Sequence, residues 1–139
     1  MKTVLEVTSK RLQYEEGFRG KPYYDINGFQ SIMFGRNLDA NPFTQQEGLL
    51  LLELGIKKRI KKIQHWKAYQ AANTARRSVL VDMAYNMGVH RLKGFKRMLK
   101  AYRYENWEKA AIELLDSKAA RELPTRYNQL ARIVRTGEL

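Results

Sequence analysis

The 139-residue chain has no cysteine. That excludes a disulfide framework and any thiolate-held metal. It says nothing about compartment, since a cysteine-free chain survives in the cytosol and the periplasm alike. Long apolar runs are missing too: the longest, Leu49 to Leu52, falls far short of the roughly 20 residues of a membrane-spanning helix. The N-terminal stretch Met1-Lys2-Thr3-Val4-Leu5-Glu6-Val7 carries a glutamate where a signal peptide needs an unbroken apolar segment. No cleavable signal is therefore expected. The reading is of a soluble protein that needs something else to let it out if it acts outside the cytoplasm. The only histidines, His65 and His90, lie far apart with no ligand pattern beside them, so neither a metal site nor a cofactor is expected. There is no glycine-rich phosphate loop, no internal repeat and no low-complexity linker.

Acidic residues are scarce relative to basic ones, 14 against 26, giving a net charge of +12 and a pI near 10.0. The excess is spread over both halves of the chain. Such a field draws a protein to polyanions, which fixes the sign of the partner and not its identity. Hydrophobic residues make up 44%, enough for a genuine core, and the length suits one domain with at most two lobes.

Residues 3–16 read as a helix with Val4, Leu5, Val7 and Leu12 toward one side, stopped at Gly17. Asn27-Gly28, flanked by aromatic and β-branched residues, is a strong hairpin signal because both residues tolerate positive φ. It predicts a small antiparallel β element, the one clear case in the chain. Thr44-Gln45-Gln46-Glu47 has the form of a capping box. It opens a helix to about Ile63, with an apolar stripe of Leu49, Leu52, Ile56, Ile60 and Ile63. After a polar connection around 71–74, helices are expected over Arg76 to Met87, from Gly94-Phe95 to about Tyr104, from Asn106 to about Asp116, and from Pro124 to Gly137. Segregation of strand from helix argues an α+β fold, mainly α. A sheet-containing lobe over about 14–60 and a helical lobe over about 1–13 plus 61–139 would together leave a cleft for a substrate.

Glu16 falls at the end of the first helix, Asp25 just before the Asn27-Gly28 turn, and Ser31 across that turn. Glycoside hydrolysis needs one carboxyl to protonate the leaving oxygen and another to activate water or attack. A hydroxyl between them can hold the water. Spacing alone does not separate this trio from exposed acids near turns. Ser31 has no histidine or lysine beside it that would make it a nucleophile.

The residues around the trio carry more information. Tyr14-Glu15-Glu16-Gly17-Phe18-Arg19, then Tyr23-Tyr24-Asp25, then Gly28-Phe29-Gln30-Ser31-Ile32, resemble the active-site segment of the bacteriophage-type lysozyme family, the T-even-like muramidases and endolysins. That family reads Glu-Gly-hydrophobic-Arg, Tyr-x-Asp, and Gly-x-x-Thr-hydrophobic-Gly-hydrophobic-Gly with the same gaps. Ala84-Tyr85-Asn86-Met87-Gly88, Gly94-Phe95, Trp107-Glu108-Lys109-Ala110-Ala111 and Arg132-Ile133-Val134-Arg135-Thr136-Gly137 resemble later family segments, in order. The resemblance implies a two-lobed lysozyme-like fold and inverting hydrolysis of the β-1,4 bond between N-acetylmuramic acid and N-acetylglucosamine in bacterial peptidoglycan. Glu16 would be the general acid, Asp25 the carboxylate that activates water, and Ser31 the hydroxyl where the family usually has threonine. Inversion implies carboxyls roughly 6.5–9.5 Å apart. Arg126 matches a family arginine that pairs with the catalytic glutamate. Phe34, Tyr85 and Arg126 are the expected substrate-binding residues. A monomer made in the host bacterial cytoplasm, reaching the wall with a separate membrane-permeabilising partner, is likewise what the resemblance implies.

Two positions depart from the pattern: Met33 replaces a family glycine, and Arg36 replaces a histidine. They motivate an alternative, a lysozyme-like protein that binds glycan without cutting it. The dense basic run Lys57, Lys58, Arg59, Lys61 and Lys62 suggests contact with anionic envelope lipid or polymer, against the simpler reading of a solvated helix face. The same charge raises a nucleic-acid-binding module as a further alternative, but no recognition helix or stacking platform accompanies it, and no specific nucleic acid is expected.

Overall fold

In the computed structural model, which describes residues 1–139, Thr3 begins the first helix, α1 (Val4–Glu16). The Glu6 N–H donates to Thr3 Oγ1 at 3.2 Å and the Thr3 N–H donates to Glu6 Oε2 at 2.8 Å. This is a second capping box, Thr-x-x-Glu, which satisfies two N-terminal donors reciprocally. Gly17 ends the helix at φ +64°, a region that L side chains rarely adopt. The expected apolar side is not a packed one: Val4, Leu5, Val7 and Leu12 are all exposed, and α1 buries no residue.

Three strands follow, β1 (Arg19–Tyr24), β2 (Gln30–Met33) and β3 (Arg36–Asn37), antiparallel in the order β1-β2-β3. Tyr23 lies opposite Ser31 and Tyr24 opposite Gln30, whereas Arg19 faces Met33, so β1 bulges between Arg19 and Tyr23. Pro22, which has no N–H to give, falls in that bulged stretch of an edge strand, where proline is tolerated. The β1–β2 hairpin forms where Asn27-Gly28 predicts it, by a different turn. The Gly28 N–H donates to the Asp25 carbonyl at 3.0 Å, and Gly28 alone has positive φ, +82°. Asn27 is not left-handed, and the Asp25 carboxylate accepts its N–H; a hairpin loop that ends on one left-handed glycine needs no positive φ before it. The two-residue β3 was not legible in sequence; it pairs through Ser31–Asn37 and Ile32–Arg36.

Helix α2 (Gln45–Ile63) starts at the expected capping box: the Glu47 N–H donates to Thr44 Oγ1 at 3.2 Å and the Thr44 N–H to Glu47 Oε1 at 3.1 Å. The chain divides into two compact units, Met1–Leu50 and Leu51–Leu139. α1 falls in the first unit with the sheet.

The second unit continues α2 and adds α3 (Lys67–Ala71), α4 (Thr74–Met87), α5 (Val89–Lys93), α6 (Lys96–Arg103), α7 (Trp107–Leu115), α8 (Lys118–Glu122) and α9 (Pro124–Thr136). Its core gathers Val79, Leu80 and Met83 of α4, Leu92 of α5, Met98 and Tyr102 of α6, Leu114 of α7, and Tyr127 and Val134 of α9. Buried Ala110, Ala111 and Ala131 let α7 and α9 approach closely. Ile63 is fully buried, and Ile56 and Ile60 pack against the core. Leu49 and Leu52, at the other end of the expected stripe, stay exposed. The buried Tyr102 hydroxyl donates to the Arg76 carbonyl at 3.2 Å, and burial pushes its phenol well above the ordinary range.

Arg76 also explains the glycine that ends α9. Its Nε donates to the Val134 carbonyl at 2.8 Å, its Nη2 to the Arg135 carbonyl at 3.0 Å, and its guanidinium lies 4.1 Å from the Trp107 ring centroid. These bonds satisfy carbonyls that a helix C-terminus leaves open. Gly137, left-handed at φ +73°, leaves no room for a side chain there, since a Cβ would come within 2.7 Å of Arg76 Nη1. The architecture is thus mainly helical with a small three-stranded antiparallel sheet, the α+β class read from the sequence. No helix is long and apolar enough to cross a membrane.

Candidate active site

Glu16 is the last residue of α1, and Gly17 turns the chain directly into β1. Its side chain rests against Gly35, between β2 and β3. A Cβ on Gly35 would overlap the Glu16 carboxylate, coming within 2.7 Å of its Cδ and 3.3 Å of its Cγ. Gly35 also has φ +69°. The left-handed backbone favours glycine at this point, and the end of the Glu16 side chain lies where a side chain on residue 35 would begin.

Asp25 stands at the other end of β2's hairpin. Its Oδ1 accepts the N–H groups of Asn27 and Phe29, both at 2.9 Å, while its own N–H donates to the Phe29 carbonyl at 2.9 Å. The carboxyl group is thus oriented by the turn that it stabilises, and Oδ2 makes none of these bonds. Ser31 is the one buried polar residue of the chain, 3% exposed. It occupies β2 opposite Tyr23 on one side and Asn37 on the other. Directly opposite each other across the pair, Ser31 and Tyr23 share one face of the sheet. Along the chain Ser31 falls between the Asp25 turn and Gly35, against which Glu16 rests, and Glu16, Asp25 and Ser31 all lie in the first unit.

Phe34 is 44% exposed, and its ring centroid lies 5.4 Å from that of Phe18. Phe18 was not singled out in sequence. Its signal was its place in Glu-Gly-Phe-Arg, directly after the helix stop. Tyr85 and Arg126 belong to the second unit, where they line one groove of about 580 Å³ together with Ile56, Tyr69, Arg77 and Asp82. Arg126 Nη2 donates to Asp82 Oδ1 at 2.7 Å, and Arg126 Nε is buried with no protein partner. The Arg59 guanidinium lies 5.0 Å from the Tyr85 ring centroid. Asp82 is the partner that sequence reading missed; a carboxylate interrupting the apolar run Val79 to Ala84 was the available signal.

The phage lysozyme family model matches residues 13–131. The chain belongs to the phage lysozyme family. That span includes Glu16, Asp25, Ser31, Phe34, Tyr85 and Arg126. The chain is 28% identical over 160 residues to the pre-baseplate central spike protein Gp5 of Enterobacteria phage T4, covering 94% of this chain but only 28% of that relative. It is 25% identical over 158 residues to probable T4-type lysozyme 1 of Dictyostelium discoideum, and 26% identical over 159 residues to probable T4-type lysozyme 2 of the same organism. Each of those alignments covers 92% of this chain and 93% of the relative.

The two departures from the family pattern now have physical descriptions. Met33, where the pattern has glycine, keeps the backbone that glycine suits: φ is +57°, a left-handed value that is uncommon for a residue with a side chain. Arg36 is a structural clamp. It donates from Nε to the Asn41 carbonyl at 2.9 Å and from Nη2 to the Pro42 carbonyl at 2.8 Å, forms a two-pronged pair with the Glu47 carboxylate, and lies 4.3 Å from the Phe43 ring centroid. Arg36 thereby ties the loop after β3 to the start of α2. The guanidinium, with help from the Thr44 N–H and hydroxyl, lowers the Glu47 pKa to about 2.

Proposed function

We propose that this member of the family is an inverting muramidase. It would hydrolyse the β-1,4 bond between N-acetylmuramic acid and N-acetylglucosamine in bacterial peptidoglycan. Glu16 gives its proton to the glycosidic oxygen as the C1–O bond breaks. A water on the opposite face of the sugar attacks C1 and passes its proton to Asp25, with the Ser31 hydroxyl holding that water. The product carries the inverted anomeric configuration. Asp25 suits the second role, because an oxygen already taking two N–H bonds holds the carboxylate still while Oδ2 is left to accept. The exposed Phe34 ring offers a face for a sugar. On the second unit, Tyr85 and the Asp82-paired Arg126 line the groove proposed to take substrate.

The observation that carries this reading is a family match over residues 13–131, a span that includes Glu16, Asp25 and Ser31. The protein would act on the wall as a monomer after synthesis in the host cytoplasm, released by a separate membrane-permeabilising partner. The test is digestion of purified peptidoglycan followed by mass analysis of the muropeptides. Hydrated reducing-end muramic acid is expected, with Glu16→Gln folded and inactive. An active Glu16→Gln variant would refute the role of Glu16. Anhydro products would refute hydrolysis, and a folded parent with no turnover would leave glycan binding without cutting.

A further inference from the structure

Between Leu51 and Ile63, helix α2 has two opposite faces. Ile56, Ile60 and Ile63 are turned into the core of the second unit. At 100° per residue, Leu51, Leu54, Lys57, Lys58, Lys61 and Lys62 all project from the other side. Every one of these six is exposed, Leu54 by 62% and Leu51 by 46%. None of the four lysines takes part in any of the protein's ion pairs. The only acid in the stretch, Glu53, lies at the flank of this face. Because the isoleucines are packed, the helix cannot roll to hide the leucines or to spread the charge.

We propose that this face of α2 docks on an anionic lipid bilayer, the four lysines lying at the headgroups and Leu51 and Leu54 entering the acyl boundary. The charge alone would suit any polyanion. The leucines decide the partner, because a nucleic acid or a wall polymer in water offers no apolar phase to receive two protruding side chains, whereas an interface does. Lysine stems are flexible enough to keep their ammonium groups at headgroup level while the helix lies flat. The proposal does not rest on the glycosidase reading, since no residue of it belongs to the candidate active site.

The test is co-sedimentation of the full chain with vesicles of phosphatidylglycerol and phosphatidylcholine, against pure phosphatidylcholine, at moderate salt. Binding to the anionic vesicles is expected. Each lysine should contribute about fivefold, so Lys57→Gln, Lys58→Gln, Lys61→Gln and Lys62→Gln together should weaken it by two to three orders of magnitude. Leu51→Gln with Leu54→Gln should also weaken it, roughly tenfold or more. All six positions are exposed, so far-UV circular dichroism and the melting midpoint should match the parent. Glu16→Gln should bind vesicles as the parent does, which separates failure of this proposal from failure of the muramidase reading. Equal binding to neutral vesicles, or an unaltered affinity in the leucine variant, would overturn the proposal. Tighter binding to duplex DNA than to vesicles, insensitive to the leucines, would replace it with a nucleic-acid surface.

Discussion

Gly35→Ala separates two costs that usually arrive together. The first is conformational: at φ +69° an L side chain costs about 1–2 kcal/mol. The second is the collision with Glu16, whose carboxylate occupies the position of the new methyl group. The colliding group is the far end of a flexible, exposed side chain, so it can swing away at little cost to folding. The stability loss should therefore be the conformational part, about 1–2 kcal/mol by urea unfolding. It should be nearly the same in a Glu16→Ala background, with a coupling below about 0.5 kcal/mol. Activity should behave differently. Moving a catalytic group by about 1 Å can cost on the order of a hundredfold in rate, and relief of this overlap demands a shift of that size. Gly35→Ala should thus clear peptidoglycan suspensions at about 1% of the parent rate or less while remaining folded. Full activity in the folded variant would refute the idea that Glu16 acts from its place on Gly35. A coupling of several kcal/mol would refute the claim that the carboxylate yields easily.

Three further outcomes follow from the same geometry. Met33→Val, favourable in an ordinary strand, should destabilise the protein by about 1–2 kcal/mol in thermal or urea unfolding, because a β-branched residue is strongly disfavoured at φ +57°. The Arg36–Glu47 clamp should give stability a defined acid limb. The Glu47 pKa is about 2 in the folded chain against a reference of 4.5, so its contribution is complete above about pH 4.5 and lost as pH falls toward 2. Urea midpoints measured across that range should fall less steeply in Glu47→Gln than in the parent. Arg76→Lys should lower stability by about 1–3 kcal/mol, since a lysine cannot serve the Val134 and Arg135 carbonyls together or stack on Trp107; an unchanged melting midpoint would contradict the clamp.

What the chain alone determined is what reaches no further than a few residues. Thr44 and Glu47 start α2, Asn106 caps α7 through the Lys109 N–H, and Pro124 and Gly137 bracket α9. Each signal is a bond or a dihedral restriction within one turn, so it survives without knowledge of the rest. Thr3 and Glu6 carry the same kind of signal at the start of α1. The family resemblance, built on ordered short segments, was legible for the same reason, and with it the candidates Glu16, Asp25 and Ser31. The tertiary structure decided everything that joins distant residues. The five-residue helices α3, α5 and α8 are too short to persist by propensity and exist where Ala68, Leu92 and Ala120 are buried. Arg76 meets a carbonyl 59 residues away, and Arg126 meets Asp82 44 residues away. The contact between Glu16 and Gly35 is of this kind too. A sequence shows that a glycine and a glutamate are present, but only the packed chain shows that the Glu16 carboxylate lies where a side chain on residue 35 would begin.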